Sequence, residues 1–166
     1  MVHCYKVVRL AANVEVPWHG HSSTCIASEY QCEYQLDHTT RARCGYLFVF
    51  GVLSDAVSYA RSGYRQVVCR CLAPWIQRID YASLCVGDVE LLEAFWARYD
   101  GIRLPMAEGQ ETSLLPRIWS SRGLLDTPAG TYITSRVACL TVEHVNMHGF
   151  SEAERVQLLD NKDRTS

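Results

Sequence analysis

The chain has no motif that cradles a phosphate. Neither G-x-G-x-x-G nor G-x-x-x-x-G-K occurs, which removes the usual glycine-loop routes to a bound nucleotide. It has no G-x-S-x-G elbow, and none of its cysteines stands in a recognisable Cys/His protease context, so nucleophilic hydrolysis has no signature here. Structural zinc sites are built on C-x₂₋₄-C pairs, and the eight cysteines include none. Long apolar runs are missing too. The longest, near Leu47 to Leu53, is far shorter than the roughly 20 residues that cross a bilayer.

Charge is scarce and nearly balanced. A net charge of -2, with 20% charged residues, leaves no concentrated basic face. Arg61, Arg65, Arg70 and Arg78 straddle an expected helix and strand, with no aromatic stacking motif between them. Nucleic acid is therefore not an expected partner. Met1 to Leu10 carries charges and a strand-like alternation where a secretory leader would carry an apolar core. The expectation is a soluble, intracellular, cytoplasmic protein whose cysteines are free thiols. No repeat, low-complexity tract or linker divides the chain.

What is present is an ordinary globular composition. A chain of 166 residues, 48% of them hydrophobic, suits one domain that buries about two-thirds of its unfolded surface. The most legible stretch reads strand, helix, strand. Tyr46 to Phe50 is apolar on both faces, as in a central strand. Leu53, Ala56, Val57 and Ala60 form one helical stripe, with Ser54 as its expected cap and Gly63 as the left-handed residue that ends it. Gln66 to Leu72 is rich in β-branched and small apolar residues and stops before Pro74.

On either side the pattern continues. Cys4 to Leu10 reads as a first strand, Ala11 to Gly20 as broken and loop-like in its second half, and Asp37 to Arg43 as a polar connection. Tyr30, Cys32, Tyr34 and Leu36 alternate with Gln31, Glu33 and Gln35, a half-buried strand. Asp88 caps an expected helix with a Val89, Leu92, Phe95, Trp96, Tyr99 stripe ending at Gly101, read as core packing. Residues 102–126 read as an irregular excursion. Thr127 to Gly130 reads as a turn, Thr131 to Val145 as extended, and Ser151 to Glu154 as a capping box opening a short last helix. The expected architecture is α+β: a mainly antiparallel sheet with two main helices packed against it. Residues 1–150 form the domain and 151–166 a short C-terminal helix with a frayed tail.

Two pairs could hold a ligand. His19-Gly20-His21 and Cys69-Arg70-Cys71 each place two side chains on one face of a strand. With no C-x₂₋₄-C pair, the cysteines read as small apolar residues and no metal is expected. His19 and His21 stay as candidate ligand-binding residues.

A third arrangement spans the chain. Arg9 ends the first strand, Ser22-Ser23-Thr24 begins another, and Thr141-Val142-Glu143 lies on the last. This order resembles the Arg, Ser-Thr-Ser, Glu layout of ADP-ribosyltransferases. The resemblance implies that Arg9 and Ser23 hold NAD and that Glu143 stabilises the reacting ribose. A broader resemblance rests on Tyr5-Lys6-Val7-Val8-Arg9, on Leu47-Phe48-Val49-Phe50 before Asp55-Ala56, and on Pro128-Ala129-Gly130-Thr131. It is to small proteins of large DNA viruses, phages and assorted microbes, and it implies a compact α+β domain.

Because each catalytic constellation is incomplete, the first expectation is a small interaction protein, of viral kind on the broader resemblance, without catalysis or cofactor. Its partner would be another protein, and Trp18, Tyr30, Tyr34 and Trp119 would supply contact surface. The alternative is an NAD-dependent enzyme acting through Arg9, Ser23 and Glu143.

Overall fold

The computed structural model describes residues 1–11, 19–22, 30–43, 45–78, 96, 111–112 and 130–160. Its spine is β6 (Gln66–Ala73), whose alternating and branched apolar residues suit a strand covered on both faces. On one side β1 (Val2–Leu10) pairs antiparallel with it from Val2↔Ala73 to Arg9↔Gln66. On the other, β10 (Arg136–Val145) pairs antiparallel from Ala138↔Leu72 to Val145↔Val67, with register irregularities after Cys139 and Val142.

The far edge of β1 is shared by two strands. β5 (Leu47–Phe50) meets it at Tyr5, and β2 (His19–Ser22) meets it over Val8 to Leu10. Beyond β5 come β9 (Thr131–Thr134), β7 (Ile76–Arg78) and β8 (Glu111–Thr112), the last pairing parallel with β7. Beyond β2 comes β3 (Glu33–Gln35), while β4 (Thr39–Arg41) flanks β10. Leaving β3, the chain crosses to β10: Leu36 bridges Cys139, and the Asp37 amide donates to the Cys139 carbonyl at 2.8 Å. The sheet thus curls until β3 and β4, at opposite ends of this strand order, face each other. The class is α+β and mainly antiparallel, as expected.

The strand, helix, strand unit is present with one difference. β5 and β6 run in the same direction but are not neighbours, since β1 lies antiparallel between them. α1 (Leu53–Ala60) bridges the gap and buries Ala56 and Ala60 on Val7, Val68 and Phe50. Its N-cap is Val52, without a side-chain cap bond, so Ser54 is not the cap; Asp55 in the first turn favours the helix dipole. Asp55 also packs so close to Gly130 that a Cβ there would collide with its carboxylate, and Gly130 has a φ of +73°. That close approach is why the turn before β9 carries glycine.

Gly63 does not take the left-handed conformation; Arg65 does, with a φ of 53°. The end of α1 is held instead by buried Asn146. Its amide donates to the Ala60 carbonyl and, at 2.5 Å, to that of Gly63, while its Oδ1 accepts from the His148 amide at 2.9 Å. Arg65 bonds outward from the same corner. Nε donates to the Ala11 carbonyl at 3.1 Å, an Nη to Gly149 at 2.5 Å, and the other Nη to the Glu154 carboxylate at 3.0 Å. The expected capping box forms: Ser151 N–H donates to Glu154 Oε2 at 2.8 Å, and Ser151 Oγ accepts from the Glu154 amide at 3.3 Å. It opens α2 (Glu152–Asp160), which buries Leu158 against the interior of the curl.

Other boundaries moved. β2 begins at His19, inside the expected loop, and β4 forms inside the expected polar connection, because each gains a ladder partner that local sequence does not announce. The extended stretch from Thr131 is two strands, β9 and β10, separated at Ser135. Tyr34 is buried and belongs to the core, not to a partner surface. Trp96 is helical and buried, packing on Tyr46 and Phe48 with ring centroids 5.2 and 5.6 Å away. The rest of the helix expected over 88–101, the excursion over 102–126 apart from β8, and Trp18 and Trp119 lie outside the described residues.

Asn146→Ala strands the Ala60 carbonyl at the end of α1 and the Gly63 carbonyl just beyond it, and is expected to lower stability by about 2–4 kcal/mol in urea unfolding. A loss below about 0.5 kcal/mol would contradict that capping role. The Glu154 carboxyl is pulled down to about 2 by the Ser151 amide, then by Arg65 and the Ser151 hydroxyl. Its contribution is present above the ordinary carboxylate pKa of about 4.3 and is lost as pH falls through about 2. Between about pH 5 and pH 2 the urea midpoint of wild type should therefore fall more steeply than that of Glu154→Gln.

Candidate functional site

Inside the curl sits a lysine. On β1 the residues Cys4, Lys6, Val8 and Leu10 share the inward face by strand alternation, and Lys6 is only 5% exposed. Its Nζ donates to the Phe48 carbonyl at 2.8 Å and lies 5.1 Å from the centre of the Tyr34 ring. The other groups around it are thiols, those of Cys4, Cys32, Cys71 and Cys139. Among the described residues the ion pairs are Arg65–Glu154 and Arg70–Glu143, so neither carboxylate balances Lys6. Burial holds its pKa below the ordinary lysine value.

The thiols form a row fixed by register. Cys71 on β6 lies opposite Cys4 of β1 on one side and Cys139 of β10 on the other, and Cys69 follows two residues along on the same face. Cys71 Sγ and Cys139 Sγ are 3.3 Å apart. Cys4, Cys32, Cys69, Cys71 and Cys139 are all buried free thiols. Burial pushes the Cys4 thiol up to about 12. The hydrogen bond to Cys139 and burial hold the Cys69 thiol up; for Cys71 burial leads and the bond to Cys139 follows. Interaction with Cys69 and Cys71 draws the Cys139 thiol down. No group of three or more residues suited to a metal ion occurs among the described residues.

A groove of about 300 Å³, lined in part by Tyr34, opens where the edges of β3 and β4 meet. Buried Cys32 and Tyr34 form its floor, and Glu33, His38, Arg41 and Arg43 stand exposed around it. Side chains, not a backbone ladder, tie the two edges together: Thr40 Oγ1 donates to the Glu33 carbonyl at 2.8 Å, and Cys32 Sγ to that of Arg41 at 3.6 Å. Arg41 is also directly opposite Arg136 of β10. Like charges in that position repel, so this edge carries excess positive charge.

The residues singled out from sequence separate into different places. Arg9 is exposed and lies opposite His21, which in turn lies opposite Glu33, a rung across β1, β2 and β3. His19 is on β2 opposite Gln35. Glu143 accepts from Thr141 Oγ1 at 2.7 Å and pairs with Arg70 at 3.4 Å. Arg9 pairs with Gln66, four residues along β6 from Arg70, and Val7 and Val68 between them are covered by α1. Arg9 and His21 are thus brought together, whereas Glu143 has Arg70 as its partner. Ser23 lies outside the described residues. Cys69 and Cys71 do share a face, as their spacing requires, and it points into the core.

Lys6 was legible but overlooked, since it stands in phase with Cys4, Val8 and Leu10. Arg41 carries no comparable signal; only the pairing of β4 with β10 sets it opposite Arg136. Compared with family models, curated proteins and solved structures, the chain matches none.

Lys6→Met exchanges a buried ammonium for an uncharged side chain of similar length. The folded pKa of Lys6 is lowered, so the unfolded chain binds more protons between that value and about 10.4, and wild-type stability gains with pH across that window. Urea unfolding is expected to find Lys6→Met at least as stable as wild type at neutral pH, with the difference narrowing as pH rises toward about 10. A difference that does not change with pH would contradict the burial of a charge at this position.

Proposed function

We propose that this is a small interaction protein, without catalysis, that binds an extended acidic segment of another protein in the groove between β3 and β4. The observation that carries the reading is the like-charged pair Arg41↔Arg136 beside Arg43, on a strand that pairs with β10 alone among the described residues. An incoming strand would lie along the edge of β4 that no other described strand occupies, and its carboxylates would relieve the repulsion between the arginines. Thr39 and Arg41 alternate along that edge and Arg43 follows just past its end, so acidic side chains spaced along the ligand meet both arginines.

No helix among the described residues is long and apolar enough to cross a membrane. A partner met in solution, in the cytoplasm of a host or microbial cell, agrees with the resemblance to small viral and microbial proteins. Glu143 supports the enzyme alternative less well, because it pairs with Arg70, which lies four residues along β6 from the partner of Arg9.

The test is fluorescence anisotropy with a labelled peptide alternating Glu and Val, against the same peptide with Lys for Glu. The acidic peptide is expected to bind, more weakly as salt rises. Arg41→Glu with Arg43→Glu is expected to weaken it at least about tenfold, or about 1.4 kcal/mol. Equal binding of both peptides, or no effect of the double variant, overturns the groove assignment. NAD raising the melting temperature of wild type but not of Glu143→Gln would favour the ADP-ribosyltransferase-like enzyme instead.

A further inference from the structure

The row of thiols beside Lys6 uses chemistry that the groove does not. We propose that Cys71 and Cys139 are a peroxide-responsive pair, in which a small hydroperoxide oxidises Cys139 and Cys71 then closes a disulfide between β6 and β10. Their sulfurs already lie 3.3 Å apart on directly opposed residues. Opposed residues of antiparallel strands have Cα atoms about 4.5–5.5 Å apart, within the range of about 4.4–6.8 Å that disulfides span. The register irregularity just after Cys139 gives β10 room to adjust as the sulfurs close.

The neighbours assign the roles. Cys71 Sγ donates its proton to the Cys69 carbonyl at 3.6 Å, whereas Cys139, 3.3 Å from Cys71 Sγ and near Lys6, is drawn down, so it is the thiol better placed to react as thiolate. Cys71 keeps its proton and is in contact with the sulfur it must attack. Access is short. Cys32 and Tyr34 floor the open groove, and Lys6 lies directly beneath the Tyr34 ring.

The chemistry balances with the peroxide as sole oxidant. Cys139 Sγ attacks one peroxide oxygen, an S–O bond forms, and the O–O bond breaks. The leaving hydroxide takes the proton given up by Cys139 and departs as water. Cys71 Sγ then attacks Cys139 Sγ, the S–O bond breaks, and the second hydroxide leaves with the proton of Cys71, again as water. Two thiols lose two electrons and one peroxide becomes two waters.

The experiment treats the folded protein with hydrogen peroxide, blocks remaining thiols under denaturing conditions, and maps peptides without reduction. The expected product is the Cys71 peptide joined to the Cys139 peptide, lighter by two hydrogens and restored by dithiothreitol. The unfolding midpoint of the oxidised wild type should rise, because the link constrains the unfolded chain across β6 and β10. In Cys71→Ser the Cys139 sulfenic acid is expected to persist long enough for dimedone to trap it, and in Cys139→Ser, Cys71 should remain a thiol at the same dose. The proposal is overturned if Cys71 and Cys139 stay free while other cysteines oxidise. It is equally overturned if their link appears only when peroxide is added to urea-unfolded protein. Both of those outcomes are read on the wild type, so they hold even if a serine variant fails to fold.

Discussion

The register of β6 between β1 and β10 is the constraint from which the rest follows. Because successive strand residues point to opposite faces, a slip of one position would turn every inward group outward. The observed pairing places Cys4, Cys71 and Cys139 in one row, sets Lys6 opposite Cys69, and leaves Val7 and Val68 on the other face for α1. One choice of register therefore determines both the interior chemistry and the packing of the helix. The crossing of the chain from β3 to β10 at Leu36 then closes the curl and creates the groove as a seam between two strand edges.

The polar groups buried by this arrangement are satisfied by backbone carbonyls more than by opposite charges. Lys6 bonds to Phe48, Asn146 to Ala60 and Gly63, and Arg65 to Ala11 and Gly149. Each ties together segments far apart in sequence, so a polar group that is unfavourable to bury also excludes alternative packings. For Arg65 the left-handed backbone adds strain, which its bonds to three separate segments and its position over the Phe150 ring offset. Thiols suit the space around Lys6 because sulfur is apolar enough for a core and polarisable enough to lie beside an ammonium.

What sequence made legible was whatever depends on local period. The alternation in Cys4 to Leu10, the stripe of α1 and the capping box at Ser151 all appear in the fold, whereas of the strand expected over Tyr30 to Leu36 only Glu33–Gln35 forms. What it hid depends on partners distant in the chain. Asn146 ends α1 from 86 residues away, a bond no local signal at Gly63 could reveal. β2 and β4 are strands because β1 and β10 offer them edges. For the candidate site the failure had the same cause. Arg9 and Glu143 looked like one constellation when only their order counted, but two-dimensional neighbours in the sheet gave His21 to one and Arg70 to the other. Lys6, in plain view within an apolar alternation, was the more informative residue.

The central claim is that Lys6 lies inside the sheet as an ammonium without a carboxylate beside it among the described residues. The chain contains two lysines, Lys6 and Lys162. Titration of ¹³Cε-labelled lysine by NMR, with Lys6→Met to assign the signals, therefore reads the site directly. The account predicts that the Lys6 signal titrates clearly below the ordinary lysine value of about 10.4. A Lys6 signal that titrates at that ordinary value would place the side chain in water and contradict the register on which the whole structure rests.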